Sequence, residues 1–230
     1  MDSLSVRRSR AIASLKRLSK LYSASLTHLG RVGDTAKKER VDDNLKAYRI
    51  LIGTILSHRT KDERTEIATD ALISKYPTPQ KLASASLASI QKLIKPVGFY
   101  RSKAKYVKKC SQELLERFNG VVPRTMHELT SLTGVGRKTA GCVMVYAHEL
   151  PAIPVDSHVH EVSNRLGLVQ TKTPEKTEQA LMALLPEKDW LAVNELFVIH
   201  GQKTCVPVSP FCRRCPLAKG CPKKGVGHSR

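Results

Sequence analysis

LTGVGRKTAGCVMV, Leu132 to Val145, sets two glycines one residue apart ahead of an arginine, a lysine and an apolar run. Gly134 and Gly136 permit backbone angles closed to other residues and let another backbone come close. Upstream, Thr125 and Glu128 in TMHELTSL fit the S/T-x-x-E capping box, so a helix is expected to begin at Met126 and reach the glycines. Downstream, RKTAGCVMVYAHEL keeps helical apolar spacing up to Pro151. The stretch reads as a hairpin between two helices, the second aiming free N–H groups out of the turn. Such a turn suits an anion, and its contact with nucleic-acid phosphate would be blind to sequence, because backbone donors do not read bases. A nucleotide P-loop is a poor match, since it needs four residues between its glycines and a G-K-[ST] ending. On these residues alone, a plain interhelical turn stays open.

Outward from the hairpin the chain reads as more helices, with no convincing alternating strand. NLKAYRILIGTILS (44–57) and DERTEIATDALISKY (62–76) carry core-facing apolar stripes, and Pro77 stops the second. SLASIQKLIK ends at Pro96 and Gly98, and SKAKYVKKCSQELLERF runs to Asn119-Gly120. Beyond Pro151, SHVHEVSNRLGL, TPEKTEQALMALL with Pro174 in its first turn, and WLAVNELFVIHG give three further helices. The fold class is therefore all-α. At 230 residues the chain can bury one large core or two modest ones, and a monomer is expected.

Charge narrows the partner. Thirty-nine Lys and Arg against 20 Asp and Glu leave a formal +19, which calls for a polyanion. Residues 1–40 hold ten bases and three acids, residues 200–230 hold seven bases and no acid, and Arg101 to Lys109 hold five cations with no anion. That last run matches several phosphate contacts. No stretch approaches the roughly 18 apolar residues of a membrane span. The N-terminal MDSLSVRRSRAIASLKRL lacks a signal-peptide apolar segment, so an intracellular place is expected: cytoplasm and nucleoid, or nucleus or organelle in a eukaryote.

Six cysteines divide unevenly. Cys110 and Cys142 sit alone in helical patterns and read as small buried hydrophobes. Cys205, Cys212, Cys215 and Cys221 crowd into seventeen residues with the spacing C-x6-C-x2-C-x5-C. In an intracellular protein such a group ligates metal rather than forming two disulfides. Four thiolates suit tetrahedral zinc or an iron-sulfur cube, and ligand chemistry alone leaves both open. Structural zinc usually joins two close pairs, and here only Cys212 and Cys215 form one.

In order along the chain, ILSHRTKD, VGFYRSKAK, LTGVGRKTA, PVDSH, VSNRLG and the cysteine spacing resemble the helix-hairpin-helix DNA glycosylases, specifically the endonuclease III branch. The resemblance covers about Tyr48 to Cys221. It implies two helical lobes with a DNA groove between them: a barrel-like lobe of residues 41–150 carrying the hairpin, and a lobe combining 1–40 with 151–230 and carrying the cluster loop, 202–225. It also implies one [4Fe-4S] cluster on the four cysteines and, at the hairpin, a monovalent cation. The implied partner is duplex DNA with damaged bases or abasic sites.

By the same resemblance Lys138 is the nucleophile that attacks the sugar, and Asp156 assists it. The implied activity is release of oxidised pyrimidines followed by strand cleavage 3′ of the abasic site. The chemistry agrees: a carboxylate supports positive charge on the sugar as the base leaves, and an amine then forms a Schiff base that permits β-elimination. DNA contacts are expected from Gly134, Val135, Gly136, Arg137 and Thr139 of the hairpin, and from Arg101 and Lys103. Two loops should fill the stack behind the extruded nucleotide. Arg59 stands where the branch has glutamine and Phe99 where it has leucine, departures that keep a wedge but unsettle the preferred lesion. Lys138 favours the bifunctional branch, and Gly53 stands where adenine-mismatch glycosylases carry a catalytic glutamate. Two other readings stay in view: a mismatch uracil or thymine glycosylase, and a DNA-binding protein without catalysis.

Overall fold

The computed structural model describes residues 2–29 and 43–230, with side chains described at 2–23 and 43–230. These residues are helical with no strand among them, as the periodicity requires. They fall into two compact units, one formed by α1 (Leu4–Leu29) with the chain from Pro151 to Arg230, the other by the described chain up to Leu150. The boundary expected near residue 40 lies outside the described residues.

In the continuous unit, α2 (Asp43–Ser57) is the hub. Its Ala47, Tyr48, Ile50, Leu51, Ile52, Ile55 and Leu56 are all buried, which is apolar surface on nearly every side. A helix of that kind must be surrounded. It packs against α3 (Asp62–Lys75), α6 (Tyr100–Phe118), α8 (Arg137–Cys142) and the turn that follows α8. Two short helices, α4 (Pro79–Ser84) and α5 (Leu87–Leu93), start where Thr78 and Ser86 accept the amides of Lys81 and Ser89. Tyr48, fully buried, finds its hydroxyl partner in Ser111 of α6 at 2.9 Å.

Helix α7 (Met126–Thr130) begins at the expected capping residue: Thr125 accepts the Glu128 amide and its hydroxyl donates to the Glu128 carboxylate at 2.6 Å. One expectation changes after the hairpin. The apolar run to residue 150 is not one α-helix, because after α8 the chain widens into a π-turn, Val143–Ala147. His148 donates there to the Pro123 carbonyl at 2.9 Å and closes the unit beside α7.

The second unit has its own core. Ala11, Leu15, Leu18 and Tyr22 of α1 pack with α9 (Ser157–Arg165), α10 (Pro174–Leu184) and α11 (Trp190–Lys203). Arg7 and Arg10 of α1 donate to the carbonyls of Leu168 and Leu166, tying the N-terminal helix to the segment after α9. No helix among the described residues is long and apolar enough to cross a membrane.

Candidate DNA-processing site and cluster loop

The hairpin turn is built by side chains that no motif announces. Glu113 of α6 accepts both the backbone N–H and the hydroxyl of Thr133, each at 2.7 Å, so one carboxylate fixes the turn from below. Gly134 has φ +82°, and a Cβ there would stand 3.0 Å from that of Tyr106. Gly136 has φ −92° and a Cβ there would meet nothing within 4 Å. The two glycines therefore do different work. Gly134→Ala should cost about 1–3 kcal/mol through left-handed strain and the tyrosine contact. Gly136→Ala should leave the melting temperature unchanged and weaken only binding to a DNA backbone that must come close. Thermal melts beside DNA titrations separate the two effects.

Helix α8 starts at Arg137 with no side chain capping it. Arg137 is exposed, and Lys138 is half-buried with its amine hydrogen-bonded to no described residue. Thr139 points the other way: it is fully buried and its hydroxyl lies 3.0 Å from His58 Nε2. Burial, then the charges of Lys138 and Lys103, hold the His58 imidazole below its usual pKa. His58 thus sits as a neutral ring beside the amine, though part of it remains exposed.

Three residues expected at the DNA surface have side chains turned inward. Val135 joins the hydrophobic core and is 6% exposed. Thr139 bonds to His58 as described. Lys103, 4% exposed, donates to the carbonyls of Leu56 at 2.7 Å and His58 at 2.6 Å and to the Thr60 hydroxyl at 2.9 Å. It caps the end of α2 instead of meeting phosphate. Arg101 is exposed, and its guanidinium lies 5.6 Å from the Tyr100 ring centroid.

Arg59 and Phe99 occupy two neighbouring turns. Both have positive φ, 50° and 57°, both are exposed, and the guanidinium sits 6.0 Å from the phenyl centroid. Two non-glycine residues in that region, side by side, cost about 1–3 kcal/mol each and persist only where surrounding contacts hold them there.

Asp156, in the other unit, is the N-cap of α9. One carboxylate oxygen accepts the Val159 amide at 2.9 Å, which fixes the side chain and leaves the second oxygen without a described partner.

The four clustered cysteines line one cavity in that same unit, with Arg165 and His200 in its wall. They form no disulfide. No three His, Cys, Asp or Glu side chains among the described residues close on a single ion. Four cysteine sulfurs lining one cavity are the donor set an iron-sulfur cluster takes. Arg165 binds the loop through the carbonyls of Cys205, Val206 and Pro207 and reaches the Cys205 sulfur at 3.5 Å. His200 Nε2 lies 3.6 Å from the Cys215 sulfur, and its Nδ1 is 3.2 Å from the Tyr22 hydroxyl. Lys203, Arg213, Arg214, Lys219, Lys223 and Lys224 are exposed around the loop.

His200 is 1% exposed, and burial pushes its pKa down to about 4. An unfolded histidine titrates near 6.5, so between those values the unfolded chain binds the extra proton and stability falls as pH falls. The loss should reach at most about 3 kcal/mol. A bound cluster's thiolate beside Nε2 opposes this and narrows the window. Melts followed by Trp190 fluorescence from pH 7 to 4 should show the decline, and His200→Gln should flatten it.

A model of the HhH-GPD superfamily of base excision DNA repair proteins matches residues 52–187. Endonuclease III of Thermotoga maritima is 46% identical over 186 residues, covering 80% of this chain and 87% of the relative. Endonuclease III of Bacillus subtilis is 36% identical over 197 residues, 84% and 89% of the two chains. A solved structure of a trapped endonuclease III–DNA covalent intermediate superposes with a TM-score of 0.79 at 31% identity, covering 97% of each chain. The chain belongs to the endonuclease III family. It is accordingly a bifunctional DNA glycosylase and abasic-site lyase of base excision repair.

Proposed function

We propose that this chain removes oxidised pyrimidines from duplex DNA and cleaves the strand 3′ of the resulting abasic site, with Lys138 as nucleophile and Asp156 as its assisting carboxylate. The observation that carries the reading is the Lys138 amine: accessible, unpaired among described residues, and one position into the helix that leaves the glycine turn. A relative 31% identical has been trapped in covalent linkage to DNA, which supports an amine attack of this kind.

The chain's own groups supply the steps. The Asp156 carboxylate, its orientation set by the Val159 amide, supports positive charge at the sugar as the base departs and accepts the proton the amine must lose. Lys138 bonds to C1′, ring opening gives the Schiff base, and loss of a proton from C2′ expels the 3′ phosphate. Lys138 and Asp156 belong to different units. Gly134, Gly136 and Arg137 would hold the phosphate backbone, Arg101 would add a cation, and Arg59 with Phe99 would fill the vacated stack. A monovalent cation at the hairpin completes the expected set.

Cys205, Cys212, Cys215 and Cys221 would hold one [4Fe-4S] cluster, which when bound anchors the basic loop against DNA phosphate. Burial raises the thiols of Cys205, Cys215 and Cys221, so the positive iron ions are what would keep them ionised.

Base release from defined duplexes tests the substrate. Thymine glycol or dihydrouracil opposite a normal partner should be released at least tenfold faster than thymine or uracil in a mismatch with guanine. The reverse order would assign the chain to mismatch repair, a reading the Arg59 and Phe99 replacements keep in play.

A further inference from the structure

Lys103 occupies an unusual position for a lysine. It lies in the first turn of α6, four residues after Phe99, and its backbone N–H donates to the Phe99 carbonyl at 3.0 Å. Its side chain runs inward instead of out, and the ammonium spends all three protons on the turn that carries Arg59: the Leu56 carbonyl, the His58 carbonyl and the Thr60 hydroxyl. No carboxylate is among these partners. The Leu56 and His58 carbonyls are acceptors left over where α2 ends, and a cation is the natural group to take them. Burial pushes the Lys103 pKa down to about 8, so at neutral pH the ammonium keeps its third proton.

The second turn is stitched in through the same point. Thr60 Oγ1 accepts the Gly98 amide at 3.2 Å as well as Lys103, and it donates to the His58 carbonyl at 3.3 Å. Gly98 runs so close that a Cβ on it would stand 3.1 Å from the Arg59 carbonyl. Arg59 and Phe99, one on each side of this junction, are both in left-handed conformation. The imidazole of His58 then carries the connection to Thr139, next to Lys138.

We propose that Lys103 is a positioning residue: its buried ammonium, with Thr60, locks the Arg59 and Phe99 turns into one rigid wedge, so that extrusion of the target nucleotide depends on a lysine that never touches DNA. The proposal rests on the reading of Arg59 and Phe99 as the wedge. Two exposed side chains on separate, strained turns would otherwise relax independently and would enter the base stack at an entropic cost. Locked together before DNA arrives, they act as one preformed object. A lysine suits this task and an arginine does not, because three converging acceptors around a point match an ammonium and not a planar fork.

The test uses purified, cluster-loaded protein and a duplex with 2-aminopurine beside the lesion, whose fluorescence rises when the stack opens. Four variants are compared with wild type: Lys103→Met, Thr60→Val, and Arg59→Ala and Phe99→Ala as markers of the wedge. Thr60→Val keeps shape at a half-exposed position and so retains the fold even if Lys103→Met melts early. Both lock variants should lower the fluorescence rise and single-turnover base release ten- to hundredfold. Affinity for undamaged duplex should stay within threefold. On a single-stranded abasic oligonucleotide, which needs no extrusion, borohydride trapping should fall less than threefold. If Arg59→Ala and Phe99→Ala are defective while Lys103→Met and Thr60→Val behave as wild type, the lock is wrong and the wedge stands. If the marker variants are themselves normal, the wedge reading and the lock both fall. Equal losses on duplex and single strand would show a general structural role and overturn the proposal.

Discussion

Lys138→Gln should abolish borohydride-trapped covalent complex and reduce strand cleavage by at least about a thousandfold, since no Schiff base can form without a primary amine. Glutamine is close to lysine in length and keeps a polar end, and Lys138 makes no hydrogen bond to a described residue that the fold would lose. The variant should therefore melt with the wild type and bind duplex within a fewfold. A parallel trapping and binding assay separates this outcome from its rival. If Lys138→Gln still traps, another amine is the nucleophile. If it neither traps nor binds, Lys138 serves as a phosphate contact first.

The second large effect is expected at the cysteine loop. Cys205→Ser should remove absorbance at about 400 nm, the signature of an iron-sulfur centre, and should loosen the unit that holds it. Cys205, Cys215 and Cys221 pack against the core formed by α1, α9, α10 and α11. Of the thiols left behind, burial raises those of Cys215 and Cys221, and no disulfide joins them. Structural zinc is worth on the order of 10 kcal/mol to the small segments it organises, and a cluster on this loop should act on a similar scale. Trp190, the single tryptophan, begins α11 and donates to the Leu185 carbonyl, so its fluorescence reports on this unit alone. Its transition should move down by more than 10 °C, by the rule that about 1 kcal/mol shifts a chain of this size by roughly 2–4 °C. Hydrogen exchange in α2 should change little. A cluster-free variant that melts like wild type would mean the loop is held by Arg165 and the protein core without iron.

How much of this was written in the sequence depends on the range over which each feature acts. Features set within a few residues were legible: the Thr125 cap, Pro174 in the first turn of α10, the stop at Asn119-Gly120, the apolar stripe of α2. The glycine turn and the cysteine spacing were equally plain. The family resemblance supplied the roles of Lys138 and Asp156, which composition never could have. What escaped was long-range and polar. Glu113 reaches the hairpin across twenty residues of sequence, and Tyr22 meets His200 across 178. No local pattern marks either partner. Lys103 is the instructive miss. Counted as one of five cations in a basic run it looked like a phosphate contact, yet its spacing with Ala104, Val107, Cys110 and Leu114 already placed it on the buried face of α6. Periodicity should have outweighed charge there. The π-turn after Cys142 was also hidden, because an apolar run looks the same at either helical pitch.

The unit that encloses the cysteines draws its first helix from the start of the chain and everything else from beyond Pro151. A ribosome delivers α1 first, and its Ala11, Leu15, Leu18 and Tyr22 then have no mate until the last third has emerged. The α2-centred unit, whose residues arrive consecutively, can close in the meantime. A cluster on the four cysteines would therefore form only after the basic α1 had waited through synthesis of the α2-centred unit.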